Sequence, residues 1–158
     1  MVLTSLWSGM RVKEIAAVRV CDVRGDDGSI LREVRLTAEQ TKGRRSRTVY
    51  FNQKLRDELA SYLRIYPPTD YTQPLFWTER TAGWNANTLG QWFFWTYRNA
   101  GIVGASSHSG RRTFITTLAN KGVGVRVLAA LAGHSSITTT QAYIDVNDEM
   151  KRSAVELI

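Results

Sequence analysis

Residues 30 to 37 (Ile-Leu-Arg-Glu-Val-Arg-Leu-Thr) and 46 to 51 (Ser-Arg-Thr-Val-Tyr-Phe) mix β-branched and apolar residues with alternating polar ones, and Gly43 lies between them. Alternation at a period of two turns one face of a pleated strand toward a core, so these stretches predict an antiparallel hairpin, joined by a third short strand near Asp22 to Arg24. Much of the remaining chain carries its apolar residues at helical spacing. The combination points to an α+β domain, mostly helical with a small antiparallel three-stranded sheet.

The helical segments are punctuated by their own stop signals. Val12, Ile15, Ala16 and Val18 predict a short helix after Gly9, ending before the turn signal Gly25-Asp26-Asp27-Gly28. From Asn52, Leu55, Leu59, Tyr62 and Leu63 share one face until Pro67-Pro68 stops the pattern. A loop to about Asn85 precedes a helix that Asn87 can cap and Gly101 ends, with Leu89, Trp92, Phe93 and Tyr97 predicted as core. Further helices are expected over 109 to 121 and 125 to 132, the latter stopped by Gly133, and then a short one capped by Ser136 and bearing Tyr143. No internal repeat or interdomain linker is visible, so residues 1–158 read as one domain, in which 147–158, with Met150, Ala154, Val155 and Ile158, forms a candidate docking helix.

The formal charge is +7, and the positive residues cluster. Lys42, Arg44, Arg45 and Arg47 crowd one stretch, and Arg111 with Arg112 form another. Such patches suit a polyanion, although solvated surface cations would give the same composition. The single cysteine, Cys21, excludes an intramolecular disulfide and a cysteine-based zinc site, and is expected to be buried in a reducing cytosol. Met1 to Trp7 is a brief apolar stretch without a basic leader, and no run is long enough for a membrane span.

Two blocks near the C terminus carry chemistry. His108-Ser109-Gly110-Arg111 is followed by Gly133-His134-Ser135-Ser136-Ile137-Thr138-Thr139-Thr140-Gln141-Ala142-Tyr143. Together they supply a phenolic nucleophile, two imidazoles and a guanidinium, the groups that breaking and rejoining a phosphodiester without metal would require. His108 precedes Arg111 by three residues, which places both on one side of a helix entrance, where peptide N–H groups also favour phosphate. The two histidines lack a third-ligand pattern for zinc.

These blocks, with Ser8-Gly9-Met10-Arg11-Val12-Lys13-Glu14-Ile15-Ala16-Ala17-Val18-Arg19 and Thr41-Lys42-Gly43-Arg44-Arg45-Ser46-Arg47-Thr48-Val49, resemble the catalytic domain of the tyrosine recombinase, or phage integrase, family over about residues 3 to 146. The resemblance implies the family's compact catalytic fold and a set of roles. Arg11 and Arg111 would hold the non-bridging phosphate oxygens, Lys42 would protonate the departing 5′ oxygen, His108 and His134 would complete the cationic pocket, and Tyr143 would form a 3′-phosphotyrosyl bond to DNA. Arg44 and Arg45 compete with Lys42 for the acid's role. Glu14 would orient a guanidinium or an imidazole, or serve only as a helix ion pair. Arg44, Arg45, Arg47 and Arg112 would contact DNA, Arg112 standing where many relatives carry histidine.

The implied reaction stores the phosphodiester energy in the tyrosyl bond and needs neither ATP nor metal. Double-stranded DNA is the implied partner, with self-association on DNA through the C-terminal segment and no membrane attachment. Family members usually carry a core-binding domain before the Gly-x-Arg block, which here begins almost at Met1, so the chain reads as a catalytic-domain fragment or a shortened integrase. Two other readings stand beside it. Residues 125 to 132, Gly133 and 137 to 145 also fit the helix-turn-helix of a non-catalytic DNA-binding module, and a type IB topoisomerase shares similar chemistry.

Overall fold

The computed structural model describes residues 1–78, 83–144 and 148–156. The chain runs through α1 (Val2–Ser8), α2 (Val12–Ala17), α3 (Val20–Val23), β1 (Glu33–Leu36), β2 (Arg47–Tyr50), α4 (Gln53–Ile65), α5 (Ala86–Asn99), α6 (Ser109–Asn120), α7 (Val125–Ala132), α8 (Ile137–Gln141) and α9 (Asp148–Val155). Among the described residues no helix is long and apolar enough to cross a membrane.

β1 and β2 pair antiparallel, Val34 opposite Val49 and Leu36 opposite Arg47. Val34, Leu36 and Val49 face inward while Glu33, Arg35 and Tyr50 face water, so the register follows from the period-two pattern. The expected third strand is absent from the described residues: the sheet has two strands. Residues 20 to 23 form a helical turn instead, because the Asp22 carboxylate accepts from the Arg19 N–H at 2.8 Å and closes the turn. Only an isolated bridge between Arg24 and Ile30 extends the sheet there. The same turn overturns the expected burial of Cys21. Val20 and Val23, three apart, take its buried face and leave the cysteine exposed.

The main core joins α2 and α3, the hairpin, α4 and α5. Ile15 and Val18 meet Val34, Leu36 and Phe51, with Leu55, Leu59 and Leu63 from α4 and Leu89 and Phe93 from α5. Asn52 caps α4 by accepting from the Leu55 N–H at 2.9 Å. The cap of α5 is Asn85, not Asn87: its Oδ1 accepts from the Asn87 and Thr88 N–H groups, both at 2.9 Å. Trp92 and Tyr97 are half-buried at the margin of this core, whereas Phe94 and Trp95 face water.

A second layer of α1, α6, α7 and α8 rests on the first. The helix α1 was not evident in the sequence, because it buries Thr4, Ser5 and Ser8 rather than an apolar stripe. These small side chains let α6 come close. A Cβ on Gly110 would stand 2.7 Å from Ser5 Oγ, so the helix that carries Arg111 needs glycine at that position. Ile115 and Ala119 of α6 and Leu128, Ala129 and Ala132 of α7 are buried in this layer. Tyr143 lies two residues beyond the end of α8 rather than on it. The expected terminal helix forms as α9; Ala154 and Val155 are exposed on it, and Ile158 is outside the described residues.

Candidate active site

The site is built around the C-terminal end of α7. A helix ends with carbonyls that have no intrahelical partner, and these carry the negative end of its dipole. Here three consecutive carbonyls each receive one arginine. Arg47 Nη1 donates to Leu131 O at 2.8 Å, Arg111 Nη2 donates to Ala132 O, and Arg11 Nη2 donates to Gly133 O at 2.7 Å. Arginine suits this task because its planar fork can hold several acceptors at once.

Glu14 ties two of the three together. Its side chain is wholly buried, and its oxygens accept from Arg47 Nε at 3.0 Å and Arg47 Nη2 at 2.8 Å, a bidentate pair. It also accepts from Arg11 Nη1 at 3.1 Å and from the Arg11 backbone N–H at 2.7 Å, which caps α2. Burial works to raise its pKa, but the bonds and charges of Arg47 and Arg11 outweigh that and hold it below the ordinary carboxylate value.

Arg111 is buried at 6% exposure, with Nη1 on Gly9 O at 2.5 Å. Burial and the like charges of Arg11 and Arg47 work against its protonated form, and Glu14 and Tyr143 partly offset them. Three guanidiniums therefore lie near one carboxylate, which bonds Arg11 and Arg47 and acts on Arg111 through its charge alone. An anion entering beside them would supply missing counter-charge.

Gly133 stops α7 at φ +63°, a left-handed position, and turns the chain so that His134 points toward Tyr143. His134 Nδ1 lies 2.8 Å from Thr140 Oγ1, a buried hydroxyl that fixes the ring. Its ring lies on that of Tyr143, centroids 6.2 Å apart with planes inclined by 26°. Burial, then the cations Arg111, Arg11 and Arg47, press the imidazole pKa down to about 4. It was expected to add charge to the pocket; at neutral pH it is a neutral hydrogen-bonding group. The guanidinium of Arg112 stands 6.0 Å over the other ring of this stack, that of Tyr143.

An open cleft of about 700 Å³ adjoins these groups, lined by Arg11, Thr41, Lys42, Gly43, Arg45, Ser46, Arg47, Gly133, His134, Ser135 and Thr139. Lys42, Arg44 and Arg45 are exposed on the loop between β1 and β2. Arg47 is different: every nitrogen of its guanidinium is bonded within the protein and its side chain is 12% exposed. The sequence had grouped it with the DNA-contacting arginines and gave no sign of its bond to Glu14. Thr140 was likewise missed, and its run of three threonines gave no means of choosing it. His108 occupies the N-cap of α6, exposed, and is not part of the cleft wall.

Residues 1–150 match the model of the phage integrase family. The chain belongs to that family. It is 31% identical over 160 residues to tyrosine recombinase XerA of Pyrococcus furiosus, a match covering 98% of this chain and 52% of that protein. It is 28% identical over 152 residues to tyrosine recombinase XerC of Caldanaerobacter subterraneus, covering 93% and 40%. This integrase-family chain thus spans about half the length of the curated relatives it matches. Among solved structures, the crystal structure of XerA recombinase superposes with a TM-score of 0.77 at 24% identity, over 98% of this chain and 54% of that one. XerH recombinase bound to a palindromic difH substrate, a post-cleavage complex, gives 0.71 at 19% identity, over 98% and 43%. These likenesses establish the tyrosine-recombinase catalytic fold.

Proposed function

We propose that this chain performs site-specific DNA recombination, cleaving and rejoining strands through a 3′-phosphotyrosyl intermediate on Tyr143. The observation that carries the reading is the convergence at one helix end: Arg11 and Arg111 on adjacent carbonyls of α7, and His134, in the next position, stacked on Tyr143. The scissile phosphate would sit against Arg11 and Arg111, which neutralise its non-bridging oxygens as charge builds. Tyr143 Oη gives its proton to solvent water and attacks phosphorus, the P–O5′ bond breaks, and the leaving oxygen takes a proton from Lys42 on the cleft rim. Reversal by a second 5′-hydroxyl rejoins the strands. His134 contributes a hydrogen bond rather than a charge, and His108, at the mouth of α6, approaches the phosphate from the side of Arg111.

The partner is double-stranded DNA, met by the exposed Lys42, Arg44 and Arg45. Self-association on DNA would use α9, whose Val155 is 68% exposed and follows the nucleophile closely in sequence. The reading as a helix-turn-helix module without catalysis is disfavoured by the buried Glu14 and its arginines, which a groove-binding helix pair does not need.

The test is covalent capture. Wild-type protein incubated with nicked duplexes drawn from a randomised pool should yield an adduct that maps to Tyr143, and Tyr143→Phe should yield none while keeping its helical content. An adduct that survives in the Phe variant, or that maps to another residue, overturns the mechanism.

A further inference from the structure

We infer that Arg47 is a positioning residue that latches the loop carrying Lys42 to the turn carrying His134, so that acid and imidazole enter the cleft as one unit. The inference rests on the reading of Lys42 as the acid in strand cleavage. Residues 42 to 46 are all exposed, and Arg44 holds a left-handed backbone at φ +49°. A loop of this kind places a lysine only as well as its ends are held.

The first end is held by Lys13, whose Nζ donates to Thr41 O at 2.9 Å, and by Thr41 Oγ1, which donates to Arg45 O at 2.9 Å. The second end is Arg47, at the start of β2. Its fork grips both oxygens of Glu14, and its remaining nitrogen reaches Leu131 O, a partner 84 positions away in sequence. Planar bidentate geometry fixes the guanidinium in orientation as well as distance, which a lysine ammonium cannot do.

A second observation supports the same contact from the opposite side. A Cβ on Gly133 would stand 2.7 Å from Arg47 Cδ and 3.1 Å from its Nε. The stem of Arg47 therefore runs beneath the residue that precedes His134, and the turn is shaped to admit it. Each nitrogen of Arg47 donates within the protein, so its guanidinium is held in place from three directions. A general acid must come within hydrogen-bond reach of its oxygen, so a loop displaced by even an ångström would cost the reaction heavily.

The test separates a latch from mere stability by changing the leaving group. Full-length wild-type, Lys42→Ala, Arg47→Met and Arg47→Lys proteins are given duplexes captured by the wild type, once with the ordinary 5′ oxygen and once with a bridging 5′ sulfur. The thiolate leaves as the P–S bond breaks and needs no proton. Arg47→Met should fall about a hundredfold on the oxygen substrate, the scale for a misplaced catalytic group, and recover with sulfur as Lys42→Ala does. Arg47→Lys should not restore the oxygen reaction.

Equal loss of Arg47→Met on both substrates, with its fold intact, overturns the proposal. Hydrogen exchange without DNA gives an independent reading. In Arg47→Met the amides of 42–46 and 133–136 should exchange faster together, while those of Ile15 and Leu55 keep wild-type protection. If either segment is unchanged, the latch is refuted. Should the wild type capture no duplex, the recombinase reading fails, and the exchange experiment alone decides whether Arg47 joins the two segments.

Discussion

His134 Nδ1 sits 2.8 Å from the hydroxyl of Thr140, so the imidazole that lies on Tyr143 is oriented by a side chain only three residues before that tyrosine. Thr140 belongs to the short helix α8, and Tyr143 follows two residues after its end. Replacing Thr140 by valine keeps the buried volume and removes the hydrogen bond. A bond of this kind contributes about 1 kcal/mol, so Tyr143 adduct formation should slow by about fivefold if that energy is used in the transition state. Single-turnover cleavage measures it. An unaltered rate in Thr140→Val would show that the ring needs no such partner.

Glu14 should be the most sensitive carboxylate for stability. It is fully buried between two guanidiniums, and its removal leaves Arg11 and Arg47 without their counter-charge. Breaking a buried pair from one side costs about 3–5 kcal/mol. Glu14→Ala should therefore lower the free energy of unfolding by that order in urea titration. Glu14→Gln should be milder, since the amide oxygen still accepts one bond. A loss below about 1 kcal/mol for the alanine variant would place Glu14 among exposed ion pairs, which contribute that little.

The contrast between Arg11 and Arg47 shows which parts of this site a sequence displays. Arg11 is the N-cap of α2 and Glu14 the third residue of that helix, so the local geometry of the helix start brings them together. Arg47 reaches Glu14 across 33 positions and Leu131 across 84, and only the packed hairpin reveals those contacts. The hairpin itself was legible because Val34, Leu36 and Val49 alternate with polar residues. The helix α1 was not, since its buried face is Thr4, Ser5 and Ser8, which have no hydrophobic period to read. Near Asp22 to Arg24 a short strand was expected, and the local cap from Asp22 closed a helical turn over residues 20 to 23 instead. In α5 the stripe was legible: Leu89 and Phe93, four apart, are fully buried, and Trp92 and Tyr97 pack half-buried against the same core.

Acid should destabilise the fold through His134. The imidazole pKa is about 4 in the folded chain, against roughly 6.5 when unfolded. Between those values the unfolded chain binds a proton that the folded chain does not, so stability falls as pH drops through the window and the contribution is exhausted below about 4. Glu14, whose folded pKa is lowered, contributes stability that is likewise lost as pH falls through its folded value, in the same direction. The His134→Gln variant should show a flatter dependence of Tm on pH across the upper window. An imidazole resonance that titrates at its unfolded value in the native protein would contradict this.

DNA binding should depend steeply on salt, with Arg44 and Arg45 contributing to the slope. Both are exposed on the β1–β2 loop close to Lys42, and Arg45 lines the cleft, whereas each nitrogen of Arg47 donates within the protein. Each neutralised phosphate releases counterions and adds about 0.9 to the magnitude of the log–log slope of affinity against salt. Alanine at either position should therefore weaken binding to all duplexes alike and reduce that slope by about 1. Fluorescence anisotropy with a labelled duplex, at several salt concentrations, reads both quantities. An affinity that ignores salt, or slopes unmoved by both substitutions, would remove this loop from the DNA interface and leave the phosphate contacts to be found elsewhere on the surface.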